Sequence, residues 1–213
     1  MDKCREILIE GLAFFRTASP LEDWQFCDEN IELLLQFMSL IEKWNKAYNL
    51  TAIRNKEEMA RLHMLDSLAI LPHLHGQRLI DIGTGAGLPG IPLAIFRPDM
   101  EFVLLDSNAK KTRFVQQVIL ELKLKNVSVL HSRVETYQPI KRFDSVVSRA
   151  FTNLSDMIRL TEHLLNENGL LLAMKGQSPH EELAELNQSY QVIPILVPQV
   201  DAERCLISIC ANC

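Results

Sequence analysis

Four glycines fall within the eight positions from Gly83 to Gly90, in the stretch Asp81-Ile-Gly83-Thr-Gly85-Ala-Gly87-Leu-Pro-Gly90. The run follows a short apolar segment, Arg78 to Ile82, and leads into a helical pattern. Glycine there lets the backbone turn sharply and approach a ligand with no Cβ in the way. A bound cofactor is the chemistry this predicts, with Gly83, Gly85 and Gly87 around it. From Gly85 the run also reads G-x-G-x-x-G, the dinucleotide fingerprint, so the motif alone leaves the cofactor open. Asp106 closes the next apolar run, where a carboxylate can accept hydrogen bonds from both hydroxyls of a ribose. The plainer alternative is that Asp106 only caps the helix that follows.

Two features bear on the choice of cofactor. A pyrophosphate needs free N–H groups at the start of the helix, and Pro89 and Pro92 each remove one. Asp81, two residues before Gly83, gives the glycines the look of the D-x-G-x-G signature of S-adenosylmethionine-binding Rossmann-like enzymes, whose cofactor carries no phosphate. A methyltransferase of another substrate and an NAD-dependent oxidoreductase remain the alternatives.

Methyl transfer from a sulfonium is an in-line displacement, so such an enzyme mainly orients its nucleophile. No Pro-Pro pair stands where exocyclic-amine methyltransferases carry a Pro-Pro-aromatic loop. No Pro-Cys pair offers the thiol that carbon-5 pyrimidine methylation needs. Ser148-Arg149-Ala150-Phe151 instead places a cation and an aromatic ring where a base would enter. A purine ring nitrogen fits, because guanine N7 has a free lone pair and its methylation requires no general base. Arg149 is the candidate for positioning the base, and an ion pair with Glu135 is the alternative use for it.

Other constellations carry less. Cys205, Cys210 and Cys213 have the C-x4-C-x2-C spacing of a plant-type iron–sulfur site, but a fourth ligand would have to come from Cys4 or Cys27. Reduced thiols are expected. The six histidines show no metal-binding spacing, and no metal is expected. His63 and Asp66, three apart on a helical stretch, can meet. Phe37 and Trp44 are expected in the core.

The elements that must position these residues fall into two parts. Apolar residues at Ile31, Leu34, Leu35, Met38, Ile41 and Trp44 predict a helix from Ile31 to Trp44. Further helical patterns cover Lys56 to Leu71 and Ile7 to Arg16, so residues 1–75 form a helical extension. From residue 76 short apolar runs alternate with helical patterns, the texture of βαβ units. Strands are expected at Arg78–Ile82, Glu101–Leu105, Val127–His131, Asp144–Ser148 and Leu170–Met174. Gln191–Val197 and Cys205–Ile209 follow as an antiparallel pair. The expected fold is a Rossmann-like α/β domain spanning residues 1–213, with a seven-stranded, mostly parallel sheet and an antiparallel edge.

With 213 residues, 47% hydrophobic and 23% charged, the chain has the composition of a folded core, not of a disordered segment. It has no apolar run long enough to span a bilayer and no signal-peptide pattern, so a cytoplasmic address is expected. The net charge of −5 argues against nucleic acid, but it is unevenly spread. Residues 107–149 hold nine basic and three acidic side chains, a local +6 against −11 for the remainder. Lys110, Lys111 and Arg113 head that segment as candidate RNA-binding residues.

Several motifs together resemble the GidB family of bacterial 16S ribosomal RNA guanine-N7 methyltransferases. They are Lys43-Trp44-Asn45, Tyr48-Asn49-Leu50-Thr51, His63, Leu65-Asp66-Ser67-Leu68, the glycine run through Ala94, Leu105-Asp106-Ser107 with Lys111, Arg133-Val134-Glu135, Ser148-Arg149-Ala150 and Lys175-Gly176. The resemblance implies S-adenosylmethionine as cofactor, with Gly83, Leu88, Val134, Glu135 and Arg149 around the cofactor or the base and Glu135 near the adenine. Lys175 joins the RNA-binding candidates. It also implies 16S ribosomal RNA or the small subunit as partner, and guanine 527 of the decoding-site loop as target. Leu62, between Arg61 and His63, departs from the family pattern and leaves the role of Arg61 open.

Overall fold

The structure, a computed structural model, describes residues 2–18, 27–149 and 152–210. Its seven strands are β1 (Arg78–Ile82), β2 (Glu101–Asp106), β3 (Val127–His131), β4 (Phe143–Arg149), β5 (Leu165–Lys175), β6 (Tyr190–Pro194) and β7 (Cys205–Cys210). They form one sheet in the order β3-β2-β1-β4-β5-β7-β6. Strands β1 to β5 run parallel, and β7 lies antiparallel between β5 and β6.

The chain winds outward from β1 to β3, then returns to β4 on the other side of β1. That reversal opens a crevice at the C-terminal ends of β1 and β4, the place where open α/β sheets bind ligands. The glycine run follows β1 and Arg149 ends β4, so both stand at the crevice.

Side chains alternate across the strands, and both faces are apolar. Leu79, Phe102, Leu104, Val147, Leu172 and Leu206 enter one core. Their neighbours Ile80, Val103, Leu105, Val146, Leu171 and Ile207 enter the other. A strand buried on both faces reads as a continuous apolar run, as these do.

The helices are α1 (Asp2–Ala18), α2 (Asp28–Tyr48), α3 (Lys56–Met59), α4 (Asp66–Leu68), α5 (Gly90–Phe96), α6 (Ala109–Glu121), α7 (Leu154–Thr161) and α8 (His180–Ala184). The apolar faces of α1 and α2 join the first core beside the sheet residues. Helix α2 docks on α6 through Phe37, stacked on Phe114 at 6.5 Å, and Trp44, 5.8 Å from the same ring. Each such buried side chain contributes roughly 1.5–3 kcal/mol, far above an exposed ion pair. Packing therefore fixes the helical extension.

Residues 56–68 are not one regular helix. Between α3 and α4 the segment Ala60–Leu65 is a π-helix, and a 3-10 turn at Leu71–His73 completes the stretch. Strand β5 begins at Leu165, five residues before the expected start, and pairs there with Phe143 past an irregularity in register. No helix among the described residues is long and apolar enough to cross a membrane. Cys4, Cys27 and Cys205 are free thiols, but Cys210 is disulfide-bonded, which corrects the expectation of reduced thiols at that position.

Candidate functional site

Two clefts open along the C-terminal ends of the parallel strands. The first, about 470 Å³, lies over β1, β2 and β3 and is lined by Gly83, Asp106, Lys111, Arg133, Val134 and Glu135. The second, about 280 Å³, has Asp66, Arg149, Lys175, Gly176, Arg204 and Cys205 in its wall.

At the first cleft the glycine run is held from below by Asp81. This fully buried carboxylate accepts hydrogen bonds at Oδ2 from Thr84 Oγ1 at 2.6 Å and from the Gly90 amide at 2.9 Å. Its Oδ1 has no partner, and burial pushes the carboxyl up to about 7. The amides of Gly83 and Thr84 are fixed by the Leu105 carbonyl, and the Gly85 amide by Asp106 Oδ2 at 2.9 Å. Gly85 has φ +60°, and a Cβ there would meet nothing closer than the Gly83 carbonyl at 3.8 Å. Its open side is left for a ligand.

The expected residues divide. Gly83, Asp106, Val134 and Glu135 come together in the first cleft, whereas Gly87 faces Ile91 and Phe37, and Leu88 is buried in the core. Asp106 does not cap α6, because Asn108 does so by accepting the Lys110 amide at 2.9 Å. Asp106 Oδ1 accepts the Asn108 amide at 2.8 Å, and each of its oxygens keeps a lone pair for a ribose hydroxyl.

The start of α5 separates the two cofactor readings. Its Gly90 amide is spent on Asp81, its Ile91 amide on the Gly87 carbonyl, and Pro92 has none. A pyrophosphate finds no donor there, while a phosphate-free adenosyl ligand loses nothing. The geometry of this cleft fits S-adenosylmethionine.

In the second cleft Arg149 stands 3.5 Å from Asp66 Oδ2 through Nη1, in charge contact but without hydrogen-bond geometry. The ion pair considered with Glu135 does not form. Asp66 also accepts a 2.8 Å hydrogen bond from Arg204 Nε at Oδ1. His63 does not bond Asp66. Its Nε2 lies 2.8 Å from Thr51 Oγ1, and burial, followed by the Arg149 charge, pushes its pKa down to about 4.

Thr51 is itself held by two hydrogen bonds with the Asn45 amide side chain. Arg61 reaches Gln199, which bonds Glu10. Lys175 donates to Glu182 at 3.0 Å and to the Thr152 carbonyl, and sits apart from Lys110, Lys111 and Arg113 at the head of α6. Of those three, Lys111 turns toward the first cleft and Lys110 and Arg113 are exposed. Ala150 and Phe151 lie outside the described residues. Arg204 escaped the sequence reading, having no motif of its own. Among the described residues no group of three or more His, Cys, Asp or Glu could hold a metal ion.

Residues 30–205 match the sequence model of GidB, rRNA small subunit methyltransferase G. The chain belongs to the GidB family. It is 50% identical over 207 residues to Ribosomal RNA small subunit methyltransferase G of Legionella pneumophila, covering 97% of this chain and 95% of that one. It is 51% identical over 187 residues to the protein of that name from Chromobacterium violaceum, covering 86% and 90%. Among solved structures it resembles a methyltransferase from Geobacter sulfurreducens, with TM-score 0.60 and 13% identity over 82% of this chain and 90% of that one. It also resembles a SAM-dependent methyltransferase from Aquifex aeolicus, with TM-score 0.54 and 20% identity over 70% and 92%. At such identities the shared property is the fold. GidB-family membership makes the chain an S-adenosylmethionine-dependent methyltransferase, in agreement with the first cleft.

Proposed function

We propose that this GidB-family enzyme methylates N7 of a guanine in 16S ribosomal RNA, guanine 527 by family resemblance, and does so in the cytoplasm. The observation that carries the reading is Arg149. It stands at the crevice where the sheet order reverses, with Nη1 buried and without a hydrogen-bond acceptor. A buried donor left unpaired costs about 1–3 kcal/mol, so an acceptor is expected to fill it. Guanine O6 lies next to N7 and is such an acceptor.

S-adenosylmethionine supplies an electrophilic methyl carbon when bound. Gly83 and Gly85 would give it close access to the backbone, Asp106 would accept the ribose hydroxyls, and Glu135 would face the adenine. Arg149 would orient the base so that its N7 lone pair faces the methyl donor, the alignment an in-line displacement needs. Methylation at N7 needs no proton removed, and the two groups nearest Arg149 that could act as bases are occupied. His63 is spent on Thr51, and both Asp66 oxygens face guanidinium groups. Exocyclic nitrogen or ribose oxygen would require a proton acceptor.

The test is to incubate small ribosomal particles with methyl-labelled S-adenosylmethionine and map the label. We expect 7-methylguanosine at one 16S position, and a single-turnover rate unchanged in heavy water. Label on an exocyclic amine or on ribose would overturn the reading.

A further inference from the structure

We propose that Asp66 is a positioning residue for methyl transfer: it holds Arg149 by charge and is itself oriented by Arg204. The inference rests on the reading of Arg149 given above.

Asp66 is 4% exposed and directly follows the π-helix Ala60–Leu65. Single π turns recur at functional sites because they re-aim the residues beside them. Here the turn is fixed from several directions. Ser67 Oγ donates to the His63 carbonyl at 2.6 Å, the His63 ring bonds Thr51, and Asn45 holds Thr51. The carboxylate that emerges has little freedom.

Its two oxygens are used differently. Oδ1 takes the 2.8 Å hydrogen bond of Arg204, which sets the plane of the carboxylate. Oδ2 faces Arg149 at 3.5 Å, near enough for attraction but without consuming the Nη1 hydrogen. Arg149 is thereby anchored with a donor unspent, as a group that must engage an incoming base requires. Neutralising Asp66 would leave two guanidinium groups facing each other across the wall of the cleft, and their repulsion would displace Arg149. Replacing a buried ion cluster by apolar residues is often neutral or stabilising, so stability alone does not explain this one.

The test compares Asp66→Asn with and without Arg149→Ala, using small ribosomal particles as substrate. A shift of about 1 Å in an orienting group can cost on the order of a hundredfold in rate. We expect Asp66→Asn to lower turnover at saturating particles by about tenfold to a hundredfold. Particle KM and S-adenosylhomocysteine affinity should stay within about twofold, and Asp66→Glu should recover part of the loss. In the Arg149→Ala background, adding Asp66→Asn should change turnover by less than about twofold, because a residue acting through another is not additive with it.

Equal losses in both backgrounds would overturn the proposal, as would full turnover by Asp66→Asn alone. Full turnover by Arg149→Ala would instead bring down the reading of Arg149, a distinct result. If Asp66→Asn does not fold, Arg204→Gln, altering a side chain 25% exposed, carries the same two-background prediction.

Discussion

Burial lowers the His63 pKa to about 4, with the Arg149 charge acting in the same direction, and raises that of Asp81 to about 7. The signs of their contributions to stability are opposite. Between the folded value near 4 and the unfolded value of 6.5, the unfolded chain binds the extra proton at residue 63, so that contribution rises with pH. Between 3.8 and about 7 the folded chain binds the extra proton at Asp81, so that contribution falls with pH. Asp99 and Asp144, whose pKa values are lowered, act below this window. His73, also lowered by burial, acts in the same direction as His63, so wild-type stability should hold level or rise from about pH 4.5 to 6.5, while in His63→Gln the Asp81 contribution should dominate and stability should fall as pH rises. Urea unfolding across that range measures it. A flat curve for the variant would mean that Asp81 does not titrate there. At this scale the sequence was readable where the pattern of strands and glycines is local: Asp81, the glycines and Asp106 meet at one loop, and Arg149 closes β4. The Asp66–Arg204 contact was not readable, because 138 positions separate the partners. The three-residue spacing of His63 and Asp66 suggested a helical pair, and the π-helix breaks that register.

Helix α1 meets the π-helix at Gly11. A methyl at Gly11 would lie 3.0 Å from Leu65 Cγ and closer still to its methyl groups. Alanine normally stabilises a helix interior by about 0.5–1 kcal/mol over glycine. Gly11→Ala should do the reverse here, lowering stability by about 1–3 kcal/mol through overpacking. Thermal unfolding would show it, and a raised midpoint would mean that α1 does not brace Leu65. The π character itself was hidden in the sequence, because its apolar spacing barely differs from that of an α-helix over one turn. Strands β1 and β3 fall where the apolar runs predict them. The start of β5 was missed, because Leu165-Asn-Glu-Asn-Gly169 reads as a turn and becomes strand only by pairing with β4. Asn108, not Asp106, proved to be the α6 cap, a distinction that two neighbouring capping residues cannot show in sequence.

The basic run that suggested RNA is split by the fold. Lys110, Lys111, Arg113, Arg133 and Arg149 stand at the C-terminal ends of the strands, beside the two clefts. Lys123 and Lys125 precede β3 and Lys141 and Arg142 precede β4, so all four lie at the opposite rim of the sheet. Replacing Lys110 and Arg113 by alanine should weaken RNA binding and reduce the slope of log affinity against log salt by about two. The same exchange at Lys123 and Lys125 should leave that slope unchanged. Equal slopes for the two pairs would place RNA docking elsewhere. Charge totals were legible in the sequence, but the rim each charge occupies needed the strand order. That order also dictates a sequence of events during synthesis. The glycine loop and β1 to β5 are synthesised before Arg204, and β6 pairs only with β7, so it waits without a neighbour. A growing chain can thus possess a place for its methyl donor while Arg149 and Asp66 still face each other alone. The strand that slides between β5 and β6 completes the sheet and brings Arg204 to Asp66.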